Sequence, residues 1–397
     1  MKSEGKKMKG KKIYDYSINP DEETERQFRE CYSQDFVVSA ALMPDAHRGY
    51  VAPIGAVLVT KGYIVPAWVG YDIGCGMIAV KISGKNILEK IKARADVIYD
   101  AVKKAVPMGL GVVNKMHTVS NENKEKFNQL LEKFKANPHD NEVYQFIKSV
   151  GLRDLGTLGA GNHFISINEE ENQKSNDFVW LIIHCGSRGL GHRVAKKYMI
   201  KTSGSEENFE ATFPLKADSE IGKEYLNLLD FGLEYALLNR MEVSRRVIDA
   251  LSAILREKLT SSLWVNKNHN HAILEKGKFI HRKGATPAKK GERGIIPGNM
   301  RDGSFLVTGL GNPKFLNSSS HGAGRAMSRT QAKREISTDE MKKEMKGIKT
   351  NLVIEEAPKA YKNIFEVMEK QKQSVKVVKH LKPLINWQEP SGHVSDD

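Results

Sequence analysis

Cysteines are scarce in this chain, and long apolar runs are missing from it. The 397 residues include only three cysteines, Cys31, Cys75 and Cys185, too few and too irregularly spaced for a disulfide framework. No apolar stretch approaches the roughly 20 residues that span a bilayer, and the lysine-rich start lacks the apolar segment of a secretion signal. We therefore expect a protein of the reducing cytoplasm that does not enter a membrane.

Acidic residues are in the minority. The chain has 48 Asp and Glu against 62 Lys and Arg, which gives a formal net charge of +14. An excess this large favours a polyanionic partner such as RNA or DNA, although many basic proteins carry only solvated lysine faces. The hydrophobic fraction of 40% is ordinary for a globular protein and provides ample material for a core.

Hydrophobic patterning predicts a mixed α/β (α+β) fold. Residues 37–80 are rich in Val, Ile and Gly and read as strands and turns, and strand patterns return at 156–167 and 178–184. Residues 87–150 and 221–259 have apolar residues three or four apart, which indicates helices. We expect these two helical segments to be insertions on the periphery of the sheets.

The domain prediction is a single unit. No internal repeat and no low-complexity linker divides the chain, and mixed α/β enzymes can fill this length as one domain. We predict one domain over residues 13–389. A basic, mobile tail at 1–12 and a short C-terminal tail at 390–397 would flank it.

Five side chains predict a metal site. Asp72 and Cys75 lie three residues apart in a glycine-rich turn; His163 and His184 stand beside glycines at the edges of apolar runs, and His269 follows a strand-like segment. Each fragment alone is compatible with a bend around a buried thiol or with a structural histidine. A carboxylate, a thiolate and three imidazoles together favour a metal. From coordination chemistry alone, this donor set suits zinc.

His321 is a candidate nucleophile. It opens the segment His-Gly-Ala-Gly-Arg at 321–325, whose glycines suit a backbone cradle for phosphate, and the basic, helix-compatible segment 325–345 would bring a helix N-terminus to it. Beside a metal site, neutral imidazole can attack phosphorus. The same segment is equally compatible with an ordinary anion-binding turn.

Seven motifs, in order along the chain, resemble the RtcB family of RNA ligases. They are MPDAHRGY (43–50), GYDIGCGM (70–77), LGTLGAGNHF (155–164), HCGSRG (184–189), RKGA (282–285), GIIPG (294–298) and SHGAGR (320–325). The resemblance extends from about residue 43 to about residue 384. It implies a single catalytic domain with β-sheets around a metal centre.

The resemblance also implies an activity. In RtcB-like enzymes a histidine, here His321, attacks the α-phosphate of GTP to form a covalent guanylate. The guanylate passes to an RNA 3′-phosphate, and a 5′-hydroxyl end then displaces GMP and seals the strand; 2′,3′-cyclic phosphate ends are first opened by hydrolysis. The implied metal ligands are Asp72, Cys75, His163, His184 and His269, with the thiolate bridging two Mn²⁺ ions.

The remaining site residues follow from the same resemblance. The implied GTP contacts are Asn162, Ser304, His321, Gly322, Ala323, Gly324, Arg325, Tyr361 and Gln388. The implied contacts for RNA ends are Arg188, a guanidinium suited to a terminal phosphate, with Asp45 and His47 at the mouth of the site.

Two departures from the family pattern concern the nucleotide base. Where the family usually has a glutamate that reads guanine, this chain has Ser166, and Gln388 falls near the position of a lysine at the family's C-terminus. Losing two charge-assisted hydrogen bonds of roughly 1.5 to 3 kcal/mol each would weaken guanine selectivity. We therefore expect GTP to be used with reduced base discrimination.

Two other functions are compatible with the sequence. A dinuclear metal phosphoesterase acting on RNA would need similar metal ligands without a covalent histidine. A non-catalytic RNA-binding protein would use the metal only to stabilise its fold. The sequence does not identify the physiological RNA, which could come from tRNA splicing or from repair. It also leaves open the oligomeric state and any activating protein partner.

Overall fold

Two large β-sheets and one long helix organise the chain. The computed structural model describes residues 7–8, 10–114, 119–135 and 141–392. The strands are β1 (Lys7–Met8), β2 (Lys11–Asp15), β3 (Val37–His47), β4 (Ile54–Thr60), β5 (Tyr63–Ile64), β6 (Gly76–Ser83), β7 (Phe164–Glu170), β8 (Phe178–Cys185), β9 (Leu215–Lys216), β10 (Thr260–Asn268), β11 (Asn270–Glu275), β12 (Lys278–Lys283), β13 (Ala285–Pro287), β14 (Arg293–Pro297), β15 (Ser304–Gly309), β16 (Ser318–Ser320) and β17 (Val375–Gln388).

Helices alternate with these strands, which confirms the mixed α/β fold. They are α1 (Glu22–Ser33), α2 (Pro66–Val69), α3 (Ile87–Ala93), α4 (Ala95–Ala105), α5 (Asn121–Lys135), α6 (Asn141–Asp154), α7 (Gly189–Ser203), α8 (Glu220–Leu255), α9 (Arg329–Glu335), α10 (Thr338–Glu344) and α11 (Ile364–Lys370). Short 3-10 helices lie at Pro313–Phe315, Ile354–Glu356 and Pro358–Ala360.

The larger sheet has the strand order β10-β6-β8-β7-β17-β15-β14, with every neighbouring pair antiparallel. Its interior strand β8 is the apolar run predicted from the sequence, and seven of its eight residues are buried. Because the neighbours are antiparallel, the C-terminal ends of β8 and β10 meet the N-terminal ends of β6 and β7. One edge of the sheet therefore collects residues that are distant in sequence.

The second sheet has the order β1-β2-β3-β4-β12-β11. Its β3 and β12 end beside the small sheet of β13 and β16, which pairs Ala285 with Ser320. This pairing brings the glycine-rich segment after β16 next to β3 and next to the site edge of the larger sheet.

The helix α8 has a more central position than the peripheral insertion that its pattern predicts. Its N-cap Ser219 accepts a hydrogen bond from Gly222 N, and half of its 36 residues are buried. The helix contacts β6, β8 and β10 along one face and α4 and α5 along another. A helix that is apolar on several sides belongs in a core.

The first predicted insertion contains α3 to α6, joined by non-helical segments; its residues 115–118 and 136–140 lie outside the described part. Part of the predicted N-terminal tail is paired in the second sheet, where Lys7–Met8 form β1 and Lys11 and Lys12 lie in β2. Lys11 Nζ donates to backbone carbonyls at the end of α1 and just after it, including Gln34 O at 2.7 Å. Residues 1–6, 9 and 393–397 of the predicted tails are outside the described residues.

Across the part of the chain that the structure describes, no helix has both the length and the apolar character needed to traverse a bilayer.

Candidate metal centre and adjoining cavities

The five predicted ligands meet at the site edge of the larger sheet. Asp72 and Cys75 lie in the turn before β6, His163 directly precedes β7, His184 is near the end of β8, and His269 lies between β10 and β11. The strand register explains the meeting, because Gly76 pairs with Cys185 and with Asn268, while Phe164 pairs with His184. Neighbours in the sheet thus carry the ligands to one place.

The donor atoms form two groups that share one sulfur. Cys75 Sγ lies 3.1 Å from His184 Nε2 and 3.3 Å from His163 Nε2. His184 Nε2 is 3.0 Å from His269 Nε2, and His163 Nε2 is 2.9 Å from Asp72 Oδ2. Two three-residue groups result, Cys75 with His184 and His269, and Cys75 with Asp72 and His163. A thiolate that belongs to both groups can bridge two ions.

The three imidazoles are oriented by acceptors on their outer nitrogens. His163 Nδ1 donates to Leu158 O at 3.1 Å, and His184 Nδ1 donates to Asn162 O at 2.9 Å. His269 Nδ1 lies 3.2 Å from Asn270 Oδ1. Such partners fix the tautomer and leave each Nε2 lone pair directed at the shared centre, as in protein metal sites.

Burial sets the protonation states of these donors. It lowers the pKa of His184 and of His269 well below the usual value, so both rings are neutral and able to donate a lone pair. Burial, with the charge of Asp72, raises the pKa of the Cys75 thiol. Burial alone would also raise the pKa of Asp72, but its interactions with His163 lower it. A cation at the centre would supply the positive charge that the thiolate requires. The donor set therefore fits metal binding.

Arg240 of α8 is hydrogen-bonded to the segments that carry the candidate metal ligands. The sequence analysis did not identify this residue. Its fully buried guanidinium donates to Gly74 O at 3.0 Å and Cys185 O at 2.8 Å, and to the side-chain oxygens of Asn266 and Asn268. These contacts hold the Asp72–Cys75 turn, the end of β8 and β10 at fixed positions. Its position inside a long amphipathic helix is the reason that no local signal marked it.

His321 lies between a buried carboxylate and the candidate metal ligands. Its Nδ1 donates to Asp45 Oδ2 at 2.7 Å, and its ring centroid is 4.7 Å from that of His269. Asp45 is fully buried. Burial would raise the pKa of Asp45, yet its interactions with His321 lower it overall, so the carboxylate is ionised.

The position of Asp45 corrects two expectations. Because Asp45 is fully buried, its carboxylate cannot bind an RNA end at the mouth of the site. Its Oδ2 also accepts from the backbone N–H groups of His321 at 3.1 Å and Gly322 at 3.2 Å, so these two amides hold a carboxylate and are not a vacant phosphate cradle. Gly324, at φ +75°, has no room for a Cβ against the Asp45 carbonyl.

The helix expected after this loop is also different. The segment 325–345 forms two short helices, and the first begins at Arg329 behind its N-cap Ser328. Arg325 instead donates to Met327 O at 2.9 Å and pairs with Glu356 at 3.2 Å. Glu356 is fully buried; it also forms an ion pair with Arg329 and accepts a hydrogen bond from the hydroxyl of Tyr361. The loop is held by this ion-pair network and not by a helix terminus.

A cavity opens beside His321, away from Cys75. It contains all of the predicted nucleotide contacts, namely Asn162, Ser304, His321, Gly322, Ala323, Gly324, Arg325, Tyr361 and Gln388. His47, predicted at RNA ends, is half-buried in the same cavity, where its Nδ1 donates to Asp45 O at 2.9 Å. Burial lowers the pKa of His47 to about 4, so its ring is neutral.

The floor of this cavity is uncharged. The cross-strand pairs Phe164–Gln388 and Ser166–Asn386 of β7 and β17 lie there with Asn168. Gln388 Nε2 donates to Gly161 O at 2.8 Å, and Asn168 Nδ2 donates to Ser166 Oγ at 2.9 Å. Among the described residues, Asn168 Oδ1 and Asn386 Nδ2 are buried side-chain atoms without a hydrogen-bond partner. The sequence analysis identified neither asparagine.

Arg188 lines a separate cavity together with Asp72. Its backbone has φ 62° and ψ −152°, a region that residues other than glycine rarely adopt. Its Nε donates to Thr157 Oγ1 at 3.1 Å. The guanidinium lies over Gly159, where a Cβ would overlap it. Backbone strain of this kind costs about 1 to 3 kcal/mol and concentrates at functional sites.

Comparisons with known proteins agree with this geometry. Residues 27–389 match the family described as tRNA-splicing ligase RtcB. The chain is 33% identical over 378 residues to the RNA-splicing ligase RtcB of Escherichia coli K12. This alignment covers 87% of this chain and 88% of the bacterial protein. It is 29% identical over 401 residues to the tRNA-splicing ligase RtcB of Thermococcus kodakarensis, which covers 83% and 82% of the two chains.

Proposed function

Because the chain belongs to the RtcB family of RNA ligases, we propose that it joins RNA 3′-phosphate or 2′,3′-cyclic phosphate ends to 5′-hydroxyl ends through a covalent histidine-GMP intermediate. The substrates would be RNAs cut during tRNA splicing or awaiting repair. One observation carries the proposal: His321 has its Nδ1 held by a buried carboxylate, while its ring lies beside a metal-ligand histidine.

The geometry suits His321 as the nucleophile. With the Nδ1 proton donated to Asp45, the lone pair is on Nε2. Attack on the α-phosphorus of GTP forms a nitrogen–phosphorus bond and releases pyrophosphate. The ring then carries positive charge, which the ionised Asp45 stabilises. Transfer of GMP to the RNA 3′-phosphate frees His321, and attack by the 5′-hydroxyl releases GMP.

Asp72, Cys75, His163, His184 and His269 would hold two Mn²⁺ ions, with Cys75 shared between them. Bound cations of this kind neutralise phosphate oxygens during transfer. Manganese is assigned by membership of the family, since cysteine and histidine ligands by themselves also suit zinc. Arg240 would support this ligand set through its hydrogen bonds to Gly74 O and Cys185 O.

We infer that the base of the nucleotide is bound with weak discrimination. Ser166 and Gln388 line the floor of the cavity, and neither is charged. Asn168 and Asn386, which also line this floor, are neutral as well. Incubation with each of the four α-labelled nucleoside triphosphates tests this inference. Exclusive labelling by GTP would contradict it.

The central experiment uses the full chain with Mn²⁺, GTP and an RNA pair bearing 3′-phosphate and 5′-hydroxyl ends. We expect sealing by the unmodified protein and none by His321→Ala. The protein–nucleotide adduct should be labile in acid and stable in base, as a phosphoramidate is. A phosphoesterase would instead cleave the RNA without labelling, and a structural RNA-binding protein would retain RNA without turnover; either result would refute the proposal.

A further inference from the structure

We propose that Gln388, at the end of β17, is a positioning residue for the candidate metal centre. Its side chain, together with the backbone of the next residue, holds the segment 161–163. The sequence analysis expected Gln388 to contact the nucleotide, but its amide nitrogen donates to the backbone carbonyl of Gly161. The inference rests on the proposed function, because it takes the five clustered donors as metal ligands.

The segment 161–163 serves two of the candidate ligands. It carries His163, whose Nε2 lies 2.9 Å from Asp72 Oδ2. The carbonyl of Asn162 accepts a hydrogen bond from His184 Nδ1 at 2.9 Å and so orients a second imidazole. A shift of this segment would therefore displace one ligand and release the orientation of another.

The end of β17 holds both backbone polar groups of Gly161. Gln388 Nε2 donates to Gly161 O at 2.8 Å, and Glu389 O accepts from Gly161 N at 2.9 Å. Gly161 is buried, so a lost bond would leave its polar group without a partner. Its φ of +71° favours glycine, and a Cβ would lie 3.3 Å from Arg329 Nη2. The segment 161–163 thus begins at a residue whose backbone is fixed by the C-terminal part of the chain.

The segment 388–391 is itself anchored. Asn351 Nδ2 donates to Gln388 O at 2.6 Å. Ser391 donates from its backbone nitrogen and from its Oγ to Glu355 Oε1, on a carboxylate that is only 1% exposed. The side chain of Gln388 therefore extends toward the metal-ligand segment from a backbone that is held on both sides.

A neighbouring residue on the cavity floor lacks this contact. Asn386 lies two residues before Gln388 on β17, so the two side chains are on the same face of the strand, and both line the cavity beside His321. Within the described ranges, Asn386 Nδ2 has no hydrogen-bond partner. Asn386 therefore provides a matched control for Gln388.

The test measures Mn²⁺ binding by the full chain without nucleotide or RNA, through the EPR signal of unbound Mn²⁺ during a titration. Gln388→Met keeps the length of the side chain but removes its donor. We expect Mn²⁺ to bind about tenfold more weakly, at the lower end of the effect that outer partners of metal ligands have. The amide hydrogen of Gly161 should also exchange faster with solvent in the metal-free variant.

Two control variants should bind Mn²⁺ as the unmodified protein does. Asn386→Leu changes the cavity floor without touching the segment 161–163. Glu389→Ala removes the side chain that pairs with Lys103 at 2.9 Å but keeps the backbone carbonyl that accepts from Gly161. If Gln388→Met does not fold, Ser391→Ala tests the same anchor from its far end and should give a smaller loss of Mn²⁺ affinity.

Three results would overturn the proposal. The first is an unchanged Mn²⁺ affinity in Gln388→Met together with a raised KM for the nucleotide, which would identify Gln388 as a nucleotide contact. The second is an equal loss of affinity in Asn386→Leu, and the third is the absence of Mn²⁺ binding by the unmodified protein. Failure of the ligase proposal looks different, because the unmodified protein would then bind Mn²⁺ but show neither nucleotide labelling nor sealing.

Discussion

Replacing Asp45 by asparagine should slow attack by His321 without weakening nucleotide binding. The substitution keeps the shape of the side chain but removes a buried negative charge whose Oδ2 lies 2.7 Å from His321 Nδ1. An amide oxygen can still accept that hydrogen bond, so the ring should keep its tautomer. The change therefore acts on the charge that develops on the imidazole.

The magnitude follows from Coulomb's law. With an effective dielectric constant of about 20, a unit charge about 4 Å from the carboxylate is stabilised by about 4 kcal/mol, and the amide dipole recovers part of this. A net loss of about 3 kcal/mol in the transition state corresponds to a rate reduction on the order of a hundredfold. Asp45→Ala, which also leaves three N–H donors without their acceptor, should cost more and should lower thermal stability.

The assay is single-turnover formation of the protein–nucleotide adduct at several nucleotide concentrations. We expect the maximal rate to fall and the half-saturating concentration to stay constant in Asp45→Asn. Glu210→Gln, which removes the exposed acidic charge that accepts the Tyr71 hydroxyl, is a control and should leave the maximal rate unchanged. A rate within threefold of the unmodified protein, with the fold intact, would refute the assigned role of Asp45.

Three further predictions concern the metal centre and stability. Cys75→Ser should lower bound manganese from two ions per chain to at most one, measured by elemental analysis after desalting, whereas Cys31→Ser should retain both. Arg240→Lys leaves buried carbonyls unpaired and should reduce the free energy of unfolding in urea by about 2 to 4 kcal/mol; no change would refute its supporting role. Burial lowers the pKa of His281 to about 4, whereas in the unfolded chain its pKa is about 6.5. Between these two pH values the unfolded state binds a proton that the folded state does not. The free energy of unfolding therefore falls by about 1.4 kcal/mol for each pH unit below about 6.5. The loss between pH 7 and pH 5 should be about 2 kcal/mol smaller in His281→Gln, and equal losses would contradict this assignment.

Much of the site was predictable because its ligands are marked by local chemistry. Glycines beside His163 and His184, and the Asp72–Cys75 turn, stand out in any window of sequence, and their order matches a known family. Their meeting in space depends on an antiparallel register that no local pattern encodes. The alternation of strand and helix was likewise visible, since β8 is a continuous apolar run.

The residues that support the site were not predictable, because their contacts depend on tertiary structure that no local pattern encodes. Arg240 lies 165 residues from Cys75 and looks like an ordinary polar position of an amphipathic helix. Asp45 was noticed, but exposure cannot be read from a motif, and its full burial changed its expected partner from RNA to His321. Asn168 and Asn386 could be identified only from the structure, in which β7 pairs with β17 and one buried polar atom of each asparagine lacks a partner.

The cavity beside His321 is lined by both ionised and neutral groups. Asp45 is ionised behind His321, and Arg325 and Arg329 are paired to Glu356. The floor formed by β7 and β17 has only neutral groups. Under the proposed function, displacing an ionised group would slow phosphoryl transfer, whereas exchanging one neutral amide for another on the floor would change which base is preferred. Nucleotide preference could then change in this chain without loss of the proposed chemistry on His321.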